Sequence, residues 1–175
     1  MSLEIVKLQV NEWEEYKEIR VRALKEEPRA FSSRHEEAIK YPDEKWQQRL
    51  RDVFDGKSVM LFAKLNGQIV GMMGAYQDEE EQDKENKAAS IFGVFVAKEA
   101  RGKGIATKLL TQLIDEAKTL WNLQKIHLTV TKEQEAAIRL YEKFGFQAIG
   151  EKEELEGDGK THTELIMERN PLEYN

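Results

Sequence analysis

Apolar residues alternate with polar ones in some stretches of this chain and recur every three or four residues in others. The changes of period predict the order β, α, α, β, β, β, α, β, α, β, β. Residues 3–8 alternate well enough for a first strand. Trp13, Tyr16, Ile19, Arg20, Ala23 and Leu24 then recur at helical spacing. Asn11 stands where an N-cap would, with Glu14 at the third position after it, and Pro28 lies beyond the helix end. Residues 29–42 read as irregular or as a short helix. Pro42 and Asp43 introduce a second helix through Trp46, Leu50, Val53 and Phe54, which Gly56 ends. Residues 58–64 and 69–76 read as two strands joined at Asn66-Gly67, a strong hairpin signal. Residues 88–96 form the next strand. A helix over 104–120 follows, with a stripe of Ile105, Leu109, Leu113, Ile114 and Ala117. A strand at 125–130, a helix at 134–143 closed by Gly145, and two antiparallel strands at 146–153 and 161–167 complete the pattern.

This order implies a mixed sheet with helices on both faces, and no linker or repeat divides it. A single domain over residues 1–175 is expected, with 40% hydrophobic and 34% charged residues giving it a core and a solvated surface. No apolar run approaches the roughly 18 residues of a membrane span. The start has no apolar signal region, so a cytoplasmic protein without a membrane partner is expected. A net charge of −6 without a concentrated basic face argues against nucleic acid. Acidity suits a cationic substrate such as an amine, although solubility accounts for most of it. The acidic stretch at 78–87 reads as a solvated loop between strands. There are 0 cysteines, which removes disulfides, thiolate zinc and a cysteine nucleophile. His35, His127 and His162 are dispersed and match no metal-binding spacing, so no metal is expected.

One run carries chemistry. Arg101-Gly102-Lys103-Gly104-Ile105-Ala106 follows a predicted strand and opens a predicted helix. Glycines there permit a tight turn and close approach of the backbone to a ligand. The free N–H groups of the first helical turn would then face a phosphate. The spacing fits neither a P-loop nor a dinucleotide-binding turn. An ordinary surface turn is the competing reading.

A second run, Ala137-Ile138-Arg139-Leu140-Tyr141-Glu142-Lys143-Phe144-Gly145-Phe146, changes that balance. Together the two runs resemble the GCN5-related N-acetyltransferase (GNAT) superfamily. The first is similar to its coenzyme A signature, Arg/Gln-x-x-Gly-x-Gly/Ala, as Arg101-x-x-Gly104-x-Ala106. The second is similar to its C-terminal helix and the following strand. The resemblance implies an α/β fold of mixed, α+β-like character: a strongly twisted mixed sheet of about seven strands flanked by helices on both faces. In that fold the central parallel strands, here 88–96 and 125–130, splay around a cofactor cleft. An acceptor-side region at about 11–57 and a cofactor-binding core at about 88–146 follow from it.

The resemblance further implies acetyl-CoA as cosubstrate. The acceptor would be an amine of a small molecule, peptide or protein, attacking directly through a tetrahedral intermediate. Backbone groups of Arg101, Gly102, Lys103, Gly104, Ile105, Ala106 and Thr107 would anchor the pyrophosphate. Val94, Phe95 and Val96 would meet the pantetheine arm and the acetyl carbonyl, with Gly93 permitting a bulge. Gln134 stands where many members have Asn, and Ala100 where an aromatic or basic residue is frequent. Tyr141 would protonate the departing thiolate. For the base, Glu37 is the candidate carried forward, beside Glu36, Tyr76, Glu85, Ser90 and a water relay. His35 reads as surface, His127 as structural, and Trp13, Trp46, Phe144 and Phe146 as packing. The competing functions are acyl transfer from another donor and a non-catalytic acyl-CoA sensor. A homodimer is a further expectation from the family.

Overall fold

The computed structural model describes residues 2–78 and 87–170. Its sheet grows from local turns. Asn66 and Gly67 both take positive φ, 51° and 85°, which matches the twist of the strands they join. They connect β2 (Ser58–Leu65) to β3 (Gln68–Gln77). β1 (Leu3–Val6) pairs with the other edge of β2, and β4 (Ala88–Val96) continues from β3, all antiparallel. β5 (Lys125–Thr131) then joins β4 in parallel. β6 (Gln147–Leu155) and β7 (Thr161–Arg169) form the last hairpin, with β7 inserted beside β5. The result is one seven-stranded mixed sheet in the order β1-β2-β3-β4-β5-β7-β6. The single parallel pair requires a crossover, and α4 (Ile105–Trp121) supplies it.

Helices cover both faces. α4 packs on β2, β3 and β4 through Ile105, Leu109, Leu110 and Leu113, all buried. A Cβ on Gly71 would lie 3.4 Å from both Ile105 and Leu109, so this strand position faces α4 closely. On the opposite face lie α1 (Trp13–Glu26) and α3 (Asp43–Phe54), which pack on each other and on β2 and β3. The one-turn helix α2 (His35–Ala38) packs on α1. α5 (Glu135–Lys143) follows β5. The α1–α3 face is sealed by Trp46, fully buried, with the Tyr16 ring edge-on at 5.5 Å and Phe62 5.8 Å from Tyr16. Trp46 is thus packing, as the helical stripe implied.

Three local details differ from the sequence pattern. The first helix is not capped at Asn11. A turn of 3-10 helix at Val10–Glu12 precedes it, and the Gln9 N–H donates to the Glu12 carboxylate at 2.7 Å. A Glu three residues on from Gln9 closes the same reciprocal loop that Asn11 and Glu14 would have made. Phe54, read as part of an apolar stripe, is exposed at the end of α3. β6 is almost wholly exposed, because it is an edge strand. Its Glu151-Lys152-Glu153-Glu154 run charges that edge against pairing with another chain.

Candidate active site

Two breaks in the regular sheet build the site. The first lies between the parallel strands. β4 and β5 share only the register positions Ala88–Lys125, Ala89–Ile126 and Ser90–His127. Beyond them β4 stays paired to β3 and β5 to β7, but not to each other. The strands therefore part after Ser90 and His127, as the splay expected from the family resemblance requires. A slot opens toward their C-terminal ends, where open α/β sheets bind ligands.

The second break is a bulge in β4. Met72 pairs with Phe95 and Gly74 with Phe92, so two residues of β4, Gly93 and Val94, face Met73 alone. Gly93 takes φ 65°, the left-handed conformation that opens such a bulge. Val94 is thereby released from the one-to-one ladder at the edge of the slot, with Phe95 and Val96 following it.

The glycine turn lies just beyond. Gly102 and Gly104 have φ 74° and 73°, and Gly104 is the residue before α4. The first helical hydrogen bond runs from the Lys108 N–H to the Gly104 carbonyl at 3.0 Å. Among the described residues, the N–H groups of Ile105, Ala106 and Thr107 have no acceptor, as helix geometry dictates. A Cβ at Gly102 or Gly104 would meet nothing within 4 Å, so the turn itself borders open space at the start of α4. The neighbouring cations do not occupy it. The Arg101 guanidinium donates to the Val96 carbonyl at 2.9 Å and pairs with Glu27 at 2.8 Å. The Lys103 ammonium donates to the Glu99 carbonyl at 3.0 Å. Both side chains brace the loop, and its backbone faces outward.

α5 borders the slot from the other strand. Gln134 caps it; its N–H donates to the Thr131 carbonyl at the end of β5 at 2.9 Å, and its own carbonyl accepts from Ala137 and Ile138. Tyr141 is buried on α5, 5.9 Å edge-on from Phe146. Burial pushes its phenol well above the ordinary tyrosine range, so it stays protonated at neutral pH. The parallel strands thus bring two groups to one end of the sheet: Val94 to Thr107 from β4, and Gln134 with Tyr141 from β5.

Beside the bulge, on the α1–α3 face of the sheet, lies a cavity of about 260 Å³ reaching from Gly93 and Phe92 to Tyr16, Arg20 and Arg49. The structure does not bring Glu37 to it: that residue is exposed on α2 and absent from the cavity wall. Glu36 is likewise exposed on α2. Glu85 lies outside the described residues. Tyr76 is half exposed, its ring 5.7 Å from Phe92.

Ser90, His127 and Asp78 do come together, at the fork of the strands. The Ser90 hydroxyl donates to Asp78 at 2.9 Å. The His127 ring has Glu168 at 2.8 Å on Nε2 and Asp78 at 3.6 Å on Nδ1. Alternation with core positions suggested a structural His127. Its inclusion in a half-buried acid–imidazole cluster was not legible, because its carboxylates come from the end of β3 and from β7. The Arg20 side chain was missed too, although the signal was present: a charge written into the apolar stripe of a helix.

The sequence model of the acetyltransferase (GNAT) family matches residues 13–146. The probable spermine N(1)-acetyltransferase of Bacillus subtilis subsp. natto (strain BEST195) is 36% identical over 87 residues, 49% of this chain and 57% of that protein. The L-amino acid N-acetyltransferase AaaT of Escherichia coli (strain K12) is 30% identical over 120 residues, 69% of this chain and 67% of that protein. The chain thus spans little more than half the length of the first relative and two thirds of the second. A GNAT-family acetyltransferase from Streptococcus pneumoniae shares the fold with a TM-score of 0.82, at 23% identity, over 97% of this chain and 99% of that one.

Proposed function

The chain belongs to the acetyltransferase (GNAT) family, and from that premise we propose that it transfers an acetyl group from acetyl-CoA to the amine of a small molecule. The observation that carries this reading is the pairing of a left-handed glycine turn, with unpaired amides, and a sheet that opens beside it. Acetyl-CoA supplies the activated acyl group and a thiolate leaving group. The amides of Gly102 to Thr107 bind its pyrophosphate at the positive end of α4. The slot takes the pantetheine arm between Val94, Phe95 and Val96 on one side and Gln134 on the other. The bulge at Gly93 and Val94 offers backbone donors where charge develops on the acetyl oxygen. Tyr141, held neutral by burial, gives its proton to the departing sulfur.

Removal of a proton from the incoming amine is assigned to His127 with Asp78. Ser90 precedes the bulge by three residues, about 10 Å along a strand. A base at this fork therefore acts through water. Glu37 is the alternative, and the two separate by variant: kcat should fall in His127→Asn and hold in Glu37→Gln.

The two relatives carry acceptors of different kinds in their names, spermine and L-amino acids. Both are small amines. No helix among the described residues is long and apolar enough to cross a membrane. The test is calorimetric titration with acetyl-CoA, with NAD and ATP as controls, followed by thiol release in the presence of amines. Micromolar, acetyl-CoA-selective binding with amine-dependent thiol release is expected. Tight binding without release from any amine would leave a sensor. No binding by folded protein would overturn the reading. Light scattering of the same preparation tests the homodimer.

A further inference from the structure

The cavity on the α1–α3 face holds an arginine, Arg20, with a nitrogen that no described residue answers. The Arg20 guanidinium lies over the Phe31 ring at 4.5 Å, which fixes its plane. Its Nη1 atom is buried without a hydrogen-bond partner. Among the described residues no carboxylate pairs with it. Nη1 stands 4.0 Å from where a Cβ of Gly93 would be, so the orphaned donor adjoins the bulge. Arg49 lines the same cavity, donating to the Tyr16 hydroxyl at 3.3 Å. Among the described residues Asp52 is the one acid in the wall, and it is engaged elsewhere: the Gln48 amide donates to it at 3.0 Å and Lys57 lies at 3.8 Å. In a chain of net charge −6, this is a local concentration of positive charge.

Leaving a buried guanidinium donor without an acceptor is costly, and the cost is recovered when an anion binds. Burial lowers the Arg20 guanidinium from its ordinary value, with the nearby Arg49 charge adding to the effect. A bound carboxylate would relieve both. Apart from Ser58, the rest of the wall is apolar, and Met60, Met72 and Met73 make it adaptable in shape.

We propose that this cavity is the acceptor site and that Arg20, flanked by Arg49, binds a carboxylate of the acceptor, making it a small amino acid with an apolar side chain. This rests on the acetyl-transfer reading for the identity of the reaction, but not for the binding. A guanidinium and a carboxylate match as planar, paired donors and acceptors. An amine on the carbon beside the carboxylate would then lie next to the Gly93 bulge. A polyamine would set further ammonium groups against two guanidinium ions. The general acidity of the chain, which suggests a purely cationic acceptor, does not extend into this cavity.

The test uses the unmodified protein with free coenzyme A, which binds without reacting. Proteinogenic L-amino acids, their carboxamides and spermidine are titrated in turn, and the same set is then offered with acetyl-CoA. The free acid of at least one apolar amino acid should bind more tightly than its amide by about 30-fold or more, the lower end of what losing one partner of a buried charge pair costs. Arg20→Met should abolish that preference and leave the affinity for acetyl-CoA unchanged, which also shows that the variant is folded. Arg20→Lys should restore part of it. Equal binding of acid and amide, or binding of no amino acid, would overturn the proposal. Arg20-dependent binding without acetyl transfer would uphold the anion site and sink the transferase reading. Transfer to spermidine with no preference for acids would do the reverse.

Discussion

Gly104 and Gly56 form a matched pair of probes. Both have φ 73°, and at both a Cβ would meet nothing within 4 Å. Alanine at either site carries the same backbone strain, about 1–2 kcal/mol for a left-handed L-residue. In a domain of this size each kcal/mol lowers Tm by about 2–4 °C. Gly104→Ala and Gly56→Ala should therefore lose similar amounts of thermal stability. Their ligand affinities should diverge. Gly56 ends α3, far along the chain from the glycine turn, and its carbonyl accepts from the Trp121 indole at 3.1 Å. At Gly104 the new methyl would enter the open space at the start of α4, where the acetyl-transfer reading puts the pyrophosphate. Displacing the phosphate from one charge-assisted hydrogen bond costs about 1.5–3 kcal/mol, roughly a 10- to 150-fold weaker Kd. Calorimetric titration of acetyl-CoA into both variants reads this directly. Equal losses of affinity at the two sites would show that strain alone weakens binding. Unchanged affinity in Gly104→Ala would remove the amide cradle from the account.

Other expectations concern the second helix–strand unit and the last hairpin. Tyr141→Phe should lower kcat by about 100-fold or more while the Kd for acetyl-CoA and the Tm hold, because the lost hydroxyl acts as an acid; an unchanged kcat would make Tyr141 a packing residue. Gly157→Ala should destabilise by about 1–3 kcal/mol, the range for overpacking. A Cβ there would lie 2.7 Å from the Ser33 carbonyl oxygen and 3.0 Å from those of Phe31 and Pro28, all backbone. An unchanged melting temperature in that variant would refute the contact between this turn and residues 28–33. The Glu156 carboxyl is pushed up to about 7, first by burial and then by the neighbouring Glu164. Its folded value lies above its unfolded one, so its contribution to stability is present at pH 4 and is lost as pH rises through 7. Glu156→Gln should therefore gain stability over the parent at pH 8, with the gain shrinking toward pH 5; a gain independent of pH would contradict this.

Local signals in the sequence carried the elements and the glycine turn. Asn66-Gly67 implied a two-residue turn, and both residues take the positive φ that such a turn needs. The Arg101–Ala106 run implied a glycine turn before a helix, and Gly102 and Gly104 adopt it. The features that escaped are those made by distant strands. The His127 cluster needs Asp78 from just past the end of β3 and Glu168 from β7, a juxtaposition that the sheet's register creates. Arg20 looked like one more position in a helical stripe; only the folded structure shows that it lines a cavity beside Gly93. The Arg101 and Lys103 side chains, natural candidates for the phosphate, are turned onto Val96, Glu27 and Glu99, contacts that no local pattern encodes. The cap at Gln9 was displaced from Asn11 by two residues because a 3-10 turn lengthens the helix start.

The most direct test of the cradle is a backbone-amide NMR titration of isotopically labelled protein with acetyl-CoA. The account predicts that the largest shifts fall on the amides of Gly102 to Thr107, with a second group at Gly93 to Val96, and that NAD produces neither. Acetyl-CoA binding that leaves the Gly102 to Thr107 amides unmoved would contradict it.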